Sequence, residues 1–133
     1  LFTKDVTILN FWSTTCGPCV EEMPALAAFA GALPDNVQLL TVCLDGSGNA
    51  EDAQRILTEA GYEGLTLVSG DGDFLSLCAA IQYTPTTVFL DSAGVLSEHV
   101  IVGGQADLAE AYTAVVNQVL AAGGKDAISL EKD

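Results

Sequence analysis

The sequence predicts an α/β domain built on a central mixed β-sheet of about five strands flanked by helices. Three observations carry that prediction. Val6-Thr7-Ile8-Leu9-Asn10-Phe11-Trp12 is a short β-branched and aromatic run, the pattern of a buried strand. Residues 36–44, with Val37, Leu39, Leu40, Val42 and Cys43, are a second nearly continuous apolar run, which suits a parallel strand covered on both faces. A helical stretch joins the two, so residues 6–44 make a right-handed βαβ unit.

The helix inside that unit starts at or just before Pro18, since proline at the first turn gives up an N–H that has no partner there. Gly31 and Pro34 are its stop signals, and Pro24 is expected to kink it by removing one internal hydrogen bond. Asn49 is the expected N-cap of a helix over 50–60, whose buried face carries Ala53, Ile56, Leu57 and Ala60. Leu65 to Val68 reads as a short strand. The Gly- and Asp-rich stretch 69–73 reads as a solvated turn, because the ligand spacing and terminal Glu of an EF-hand are absent. A short helix over 73–82 follows. Strands at 86–91 and 95–102 form a hairpin, and Gly103-Gly104 breaks the second of them. The last helix, 106–122, shows an apolar stripe of Leu108, Ala111, Tyr112, Val115, Val119 and Ala122. Beyond Gly123-Gly124 the tail 125–133 is expected to fray.

At 133 residues the chain is long enough for one domain with a sizeable core, and half of its residues are hydrophobic. Its formal net charge is −14, with Lys4, Arg55, Lys125 and Lys132 the only basic residues. Such a surface repels a phosphate backbone, which excludes nucleic-acid binding, and it disfavours docking on an anionic membrane. No run approaches the roughly 20 apolar residues that span a bilayer.

Chemistry concentrates at Cys16-Gly17-Pro18-Cys19, where the first strand gives way to the helix. A cysteine at a helix N-terminus faces unpaired backbone N–H groups and the positive end of the helix dipole, so its thiolate is favoured. Cys19, one turn further in, is expected to be less exposed and placed to resolve a mixed disulfide formed at Cys16. Half a zinc site and two unrelated core thiols are the competing readings; the zinc reading needs a second ligand pair, and none is visible in the sequence. Cys43 and Cys78 are expected to be buried small hydrophobes, with a second disulfide as the alternative in an oxidising compartment.

Phe11-Trp12, then Cys16-Gly17-Pro18-Cys19, with Pro24 eight residues after Cys16, resembles the active site of the thioredoxin fold. Leu9-Asn10-Phe11-Trp12 and Cys19-Val20-Glu21-Glu22-Met23-Pro24 are more narrowly similar to the TlpA/ResA-type branch, over about residues 6–120. The resemblance implies a spatial strand order of 65–68, 37–43, 6–12, 86–91, 95–102, with 86–91 antiparallel to 6–12. It identifies the helix and strand over 50–68 with the insertion that marks this branch. It implies a cis proline at Pro85 beside the reactive sulfur, leaving the backbone of Thr84 to pair with an extended substrate. Trp12 matches the fold's first active-site tryptophan and joins Thr84 and Pro85 as an expected substrate contact; Gly17 and Pro18 complete the motif. Thr15 stands where relatives often carry tryptophan. Thioredoxin has a buried Asp where this chain has Asn10, and an amide cannot accept the resolving thiol's proton. The TlpA/ResA-type branch places a Glu three residues after the second cysteine, which is Glu22 here. A partly desolvated Glu22 is expected to move a proton to or from Cys19; Glu21 is expected to be solvated.

The function so implied is a thiol-disulfide oxidoreductase with Cys16 as nucleophile and Cys19 as resolving thiol. It implies an extracytoplasmic reductant, in cytochrome c maturation or a related thiol-repair route, of bacterial type. Protein thiols or disulfides are the expected substrates and a membrane protein the electron donor, with no cofactor and no metal. The chain is expected to be a monomer, tethered through an N-terminal anchor and hairpin lying before Leu1-Phe2-Thr3. Two alternatives belong to other classes. Ser13-Thr14-Thr15-Cys16 is weakly similar to the T/S-x-x-C element of peroxiredoxin-type peroxidases, but Leu9 replaces its proline. A copper-chaperone-like module of the Sco type would use two cysteines and a histidine such as His99, but with wider cysteine spacing.

Overall fold

The structure is a computed structural model, described over residues 4–44, 48–62, 66–68, 84–92, 96–103 and 108–128. Its strands are β1 (Val6–Trp12), β2 (Val37–Cys43), β3 (Thr66–Val68), β4 (Thr86–Asp91) and β5 (Leu96–Val102). Its helices are α1 (Gly17–Ala32), α2 (Ala50–Ala60) and α3 (Leu108–Ala122). The strands form one sheet in the order β3-β2-β1-β4-β5. β1 runs parallel to β2 and antiparallel to β4, so the sheet is mixed and has the expected order. The helix expected over 73–82, the turn over 69–73 and Cys78 all lie outside the described residues.

β1 is buried at every one of its 7 positions because it has a strand on each edge and side-chain layers on both faces. Alternation then sorts its residues. Val6, Ile8 and Trp12 enter a cluster shared with α1, α2 and α3, while Leu9 and Phe11 pack with Leu40, Val42, Val88 and Leu90 on the opposite face. An apolar run without polar alternation is what a strand covered on both sides requires.

α1 is unbroken through Pro24 and buries Cys19, Met23, Leu26 and Phe29. α2 buries Ala53, Ile56 and Leu57 and ends on Gly61, whose φ of 80° suits a residue without Cβ. Asn49 stands at the N-cap position of α2, but its side chain makes no capping hydrogen bond. In α3 the buried residues are Leu108, Tyr112, Val116, Val119 and Leu120. The stripe therefore follows i, i+4 steps and takes in Val116 and Leu120, while Ala122 is exposed and Val115 half-buried. A helix as rich in apolar residues as this one has several candidate stripes, and packing against the sheet selects one of them.

The near part of the tail is tied down. Asn117 Nδ2 donates to the Ile128 carbonyl at 3.2 Å, and the Ile128 N–H donates to Asn117 Oδ1 at 2.8 Å. Lys125 pairs with Asp5 at 3.7 Å, and Ile128 packs on the main cluster.

Phe89 shows what this face is worth. It is fully buried and meets the Tyr112 ring edge-on at 5.8 Å. Phe89→Ala is expected to lower unfolding free energy by about 3–5 kcal/mol in urea titration. A loss of less than about 1 kcal/mol would mean that the face does not pack this way.

Candidate active site

β1, the central strand, ends at Trp12, and a short turn follows. The Cys16 N–H donates to the Ser13 carbonyl at 3.2 Å, which closes that turn and aims the next residues into α1. Cys16 is the N-cap, with extended φ and ψ of −89° and 103°. Its Sγ accepts the backbone N–H of Cys19 at 3.2 Å, and its carbonyl accepts the N–H of Val20 at 3.1 Å. A sulfur thus occupies the capping position that an Asp or Ser oxygen commonly fills. An N–H pointed at that sulfur stabilises negative charge on it. Cys16 and Cys19 are joined as a disulfide, with Cα atoms 5.3 Å apart. Cys16 is half-buried and Cys19 buried, the difference in access expected of the pair.

Pro85 precedes β4 at the same end of the strands. Thr86 pairs with Phe11, so Pro85 falls level with Trp12. The Thr84–Pro85 peptide bond is cis. The Pro85 carbonyl accepts the N–H of Gly103 at 2.7 Å, where the chain turns away from β5 with φ of 89°. That left-handed conformation suits glycine. Thr84 is half-buried, Gly17, Pro18 and Thr15 are exposed, and Glu21 is exposed.

Trp12 lies differently from expectation. It has no exposed surface, and its Nε1 has no hydrogen-bond partner among the described residues. Trp12 therefore presents no side-chain surface in this conformation. Cys43 is buried at the end of β2, level with Trp12. Its pairing with Cys78 lies outside the described residues, as do the surroundings of His99.

Glu22 is half-buried on α1, one turn after Cys19 and on the side of the helix that also carries Leu26 and Phe29. Below Trp12 a row of polar side chains crosses the sheet. Asn10 pairs with Thr41 on β2 and with Thr87 on β4, and all three are buried. Tyr62 closes one end of the row, its hydroxyl donating to the Leu39 carbonyl at 3.2 Å. Tyr112 closes the other, in contact with both Asn10 and Thr87. Burial is the main cause that pushes the Tyr112 phenol up to about 12; the Glu22 charge raises it further, and hydrogen bonds from Thr87 and Asn10 oppose the rise. Burial likewise pushes Tyr62 up to about 12, against hydrogen bonding at Thr41. Sequence reasoning placed Tyr112 in an apolar stripe and missed its hydroxyl. The usable signal was that a buried tyrosine needs a partner, while Asn10 and Thr87 sat unexplained in apolar strands.

Residues 2–119 match the family model described as Redoxin. The chain is 28% identical over 91 residues to Thioredoxin-like protein YneN of Bacillus subtilis (strain 168), covering 68% of this chain and 53% of that protein. It is 41% identical over 54 residues to Sporulation thiol-disulfide oxidoreductase A of the same organism, covering 40% of this chain and 31% of that protein. The chain thus spans about half the length, or less, of these curated relatives. The crystal structure of StoA from Bacillus subtilis superposes with a TM-score of 0.66 at 28% identity, over 80% of this chain and 82% of that one.

The two buried phenols predict the alkaline limit of stability. Their folded values, about 12, lie above the ordinary value of 10.0, so the folded state holds these protons more tightly than the unfolded state does. Their contribution is fully present below pH 10 and is lost as pH rises from 10 toward 12. Urea midpoints measured across that range are expected to fall, and to fall less steeply in Tyr112→Phe. A variant that tracks the parent chain would show that this phenol is not so buried.

Proposed function

This chain belongs to the Redoxin family, and on that premise we propose that it is a thiol-disulfide oxidoreductase acting on protein cysteines through Cys16 and Cys19. The observation that carries the proposal is the Cys16 sulfur at the N-cap of α1, bonded to Cys19 and facing its N–H. The name of the sporulation relative supports the same reading.

In the reduced state, Cys16 is the thiolate. It attacks one sulfur of a substrate disulfide; a mixed disulfide forms and the other substrate sulfur leaves as a thiolate, taking up a proton. Cys19 then loses its proton and attacks the Cys16 sulfur. That re-forms the Cys16–Cys19 disulfide and releases the second substrate thiol. Two electrons have passed to the substrate, and a dithiol donor must return them. Glu22, one turn from Cys19, is the group that takes the Cys19 proton. Thr84 and Pro85, with Gly17 and Pro18, border the attacking sulfur and receive the substrate backbone, while Trp12 backs the site.

The finer reading is that of an extracytoplasmic reductant, monomeric and re-reduced by a membrane partner, in cytochrome c maturation or a related thiol-repair route. Its support is the similarity to the TlpA/ResA-type branch over Leu9–Trp12 and Cys19–Pro24. No helix among the described residues is long and apolar enough to cross a membrane.

A redox titration in defined thiol buffers, with alkylated cysteines counted by mass, tests the proposal. Cys16 and Cys19 are expected to titrate together near the thioredoxin potential of about −270 mV. A couple near about −120 mV would make the chain a disulfide donor, and no two-electron couple at all would overturn the reading. Cys16→Ser is expected to abolish reduction of a protein disulfide, and Cys19→Ser to accumulate the mixed disulfide. Glu22→Gln is expected to change the pH dependence of exchange, and an unchanged profile removes Glu22 from the mechanism.

A further inference from the structure

Three hydrogen bonds close a triangle of buried side chains on the face of the sheet that carries α1 and α3. Asn10 Nδ2 donates to Thr87 Oγ1 at 3.0 Å and to the Tyr112 hydroxyl at 3.2 Å, and the two hydroxyls lie 2.6 Å apart. Seen from Nδ2 the two hydroxyl oxygens lie close together, so the amide shares an N–H between them, and one hydroxyl proton bridges Thr87 and Tyr112. With the amide turned over, two hydroxyl protons would have to serve three contacts, so the orientation with Nδ2 donating is the satisfied one. One hydroxyl proton is then left over, and no atom of the triangle accepts it.

The surrounding charges decide which hydroxyl carries that proton. Tyr112 packs against α1, β1 and β4. β1 contains no charged residue; β4 contains Asp91 alone, at the end away from Thr87; and on α1 Glu21 is exposed. Glu110, on α3 itself, is exposed as well. Glu22 is the half-buried carboxylate on the facing helix, and its charge reaches the phenol. A carboxylate favours the arrangement in which Thr87 donates to Tyr112 and the phenol proton points outward, toward the negative charge. Phe29 and Phe89 meet the Tyr112 ring edge-on at 5.5 and 5.8 Å and hold it at that angle.

We propose that Tyr112 is a positioning residue for thiol exchange: held by Asn10 and Thr87, its hydroxyl directs the remaining proton to the Glu22 side of α1 and favours the charged form of that carboxylate. This rests on the reading of Glu22 as the group that takes the Cys19 proton. The buried amide at Asn10, which cannot itself carry the proton, thereby acquires a task. It anchors the phenol that tunes the group that does. Because burial keeps the phenol protonated to about 12, the donor persists across the whole working range of pH.

The test follows the pH–rate profile of exchange between the reduced full chain and a small aromatic disulfide, in the parent, Glu22→Gln, Tyr112→Phe and the double variant. Tyr112→Phe is expected to move the Glu22-dependent limb upward by about 0.5–1 pH unit, and to add nothing once Glu22 is Gln. A limb that moves in Glu22→Gln but stays in place in Tyr112→Phe overturns the inference and leaves the role of Glu22 standing. An equal shift in both backgrounds also overturns it, because Tyr112 would then act by another route. If Glu22→Gln alone changes nothing, the parent reading fails first. Thr87→Val keeps the phenol but removes the hydroxyl that orients it, so it provides a second variant should Tyr112→Phe not fold. It is expected to shift the same limb upward, and an unmoved limb there overturns the proposal.

Discussion

The burial of β1 on both faces and both edges is the constraint on which the rest of the molecule depends. A strand with neighbours on each side has no freedom of register, so its last residue, Trp12, stops at one level of the sheet. The turn from Ser13 to Cys16 then has a single starting point, and α1 begins where that turn ends. A one-residue slip in β1 would exchange its two faces, sending Asn10 into the apolar cluster of Leu40, Val42, Val88 and Leu90 and taking Leu9 and Phe11 out of it. The sulfur at the head of α1 is placed by packing several residues away from it.

The same face of the sheet carries a second requirement. Most of it is apolar, yet Thr41, Asn10 and Thr87 form a polar row across three strands, capped by a tyrosine at each end. A buried amide or hydroxyl without a partner costs about 1–3 kcal/mol, so a row of this kind is tolerable only when its members satisfy one another. Asn10, Thr87 and Tyr112 do so with three mutual hydrogen bonds. A network of that sort specifies one arrangement of α3 on the sheet more sharply than apolar contact alone, because a displaced helix would strand several polar atoms at once. It also fixes the side of α3 that packs on α1 through Phe29 and Tyr112.

Where β1 ends and β4 begins, two devices lie level that come from distant parts of the chain. One is the helix start that offers an N–H to the Cys16 sulfur; the other is the Pro85 turn leading into β4, braced through its carbonyl by Gly103. The antiparallel pairing of β1 with β4 brings them to one level. One disulfide-bonded sulfur is half-buried and the other buried, the asymmetry that the proposed attacking and resolving roles call for. The acidic surface leaves little electrostatic attraction for anionic partners. Of the four basic residues, Lys4 is engaged with the Asp35 carbonyl, Arg55 with Asp52 and Lys125 with Asp5.

Much of this was legible in the sequence by itself. The apolar runs at 6–12 and 37–43, the helix after Cys16 and the amphipathic helix over 50–60 are local patterns, and local patterns suffice for strands buried on both faces and for helices of this kind. Cys16, Cys19 and Pro85 were readable because motif and fold prescribe each other. What one-dimensional pattern could not contain was contact between residues far apart along the chain. Tyr112 looked like one more member of an apolar stripe, 102 positions from Asn10 and 25 from Thr87, until folding brought the three hydroxyl and amide groups together. Trp12 read as a surface contact because a motif says nothing about depth. Periodicity determined the elements and their order along the chain, and the motif with its resemblance singled out Cys16 and Cys19. Depth, stripe selection and the polar row were decided only by tertiary packing, because burial and hydrogen-bond satisfaction are properties of neighbours in space and not of neighbours in sequence.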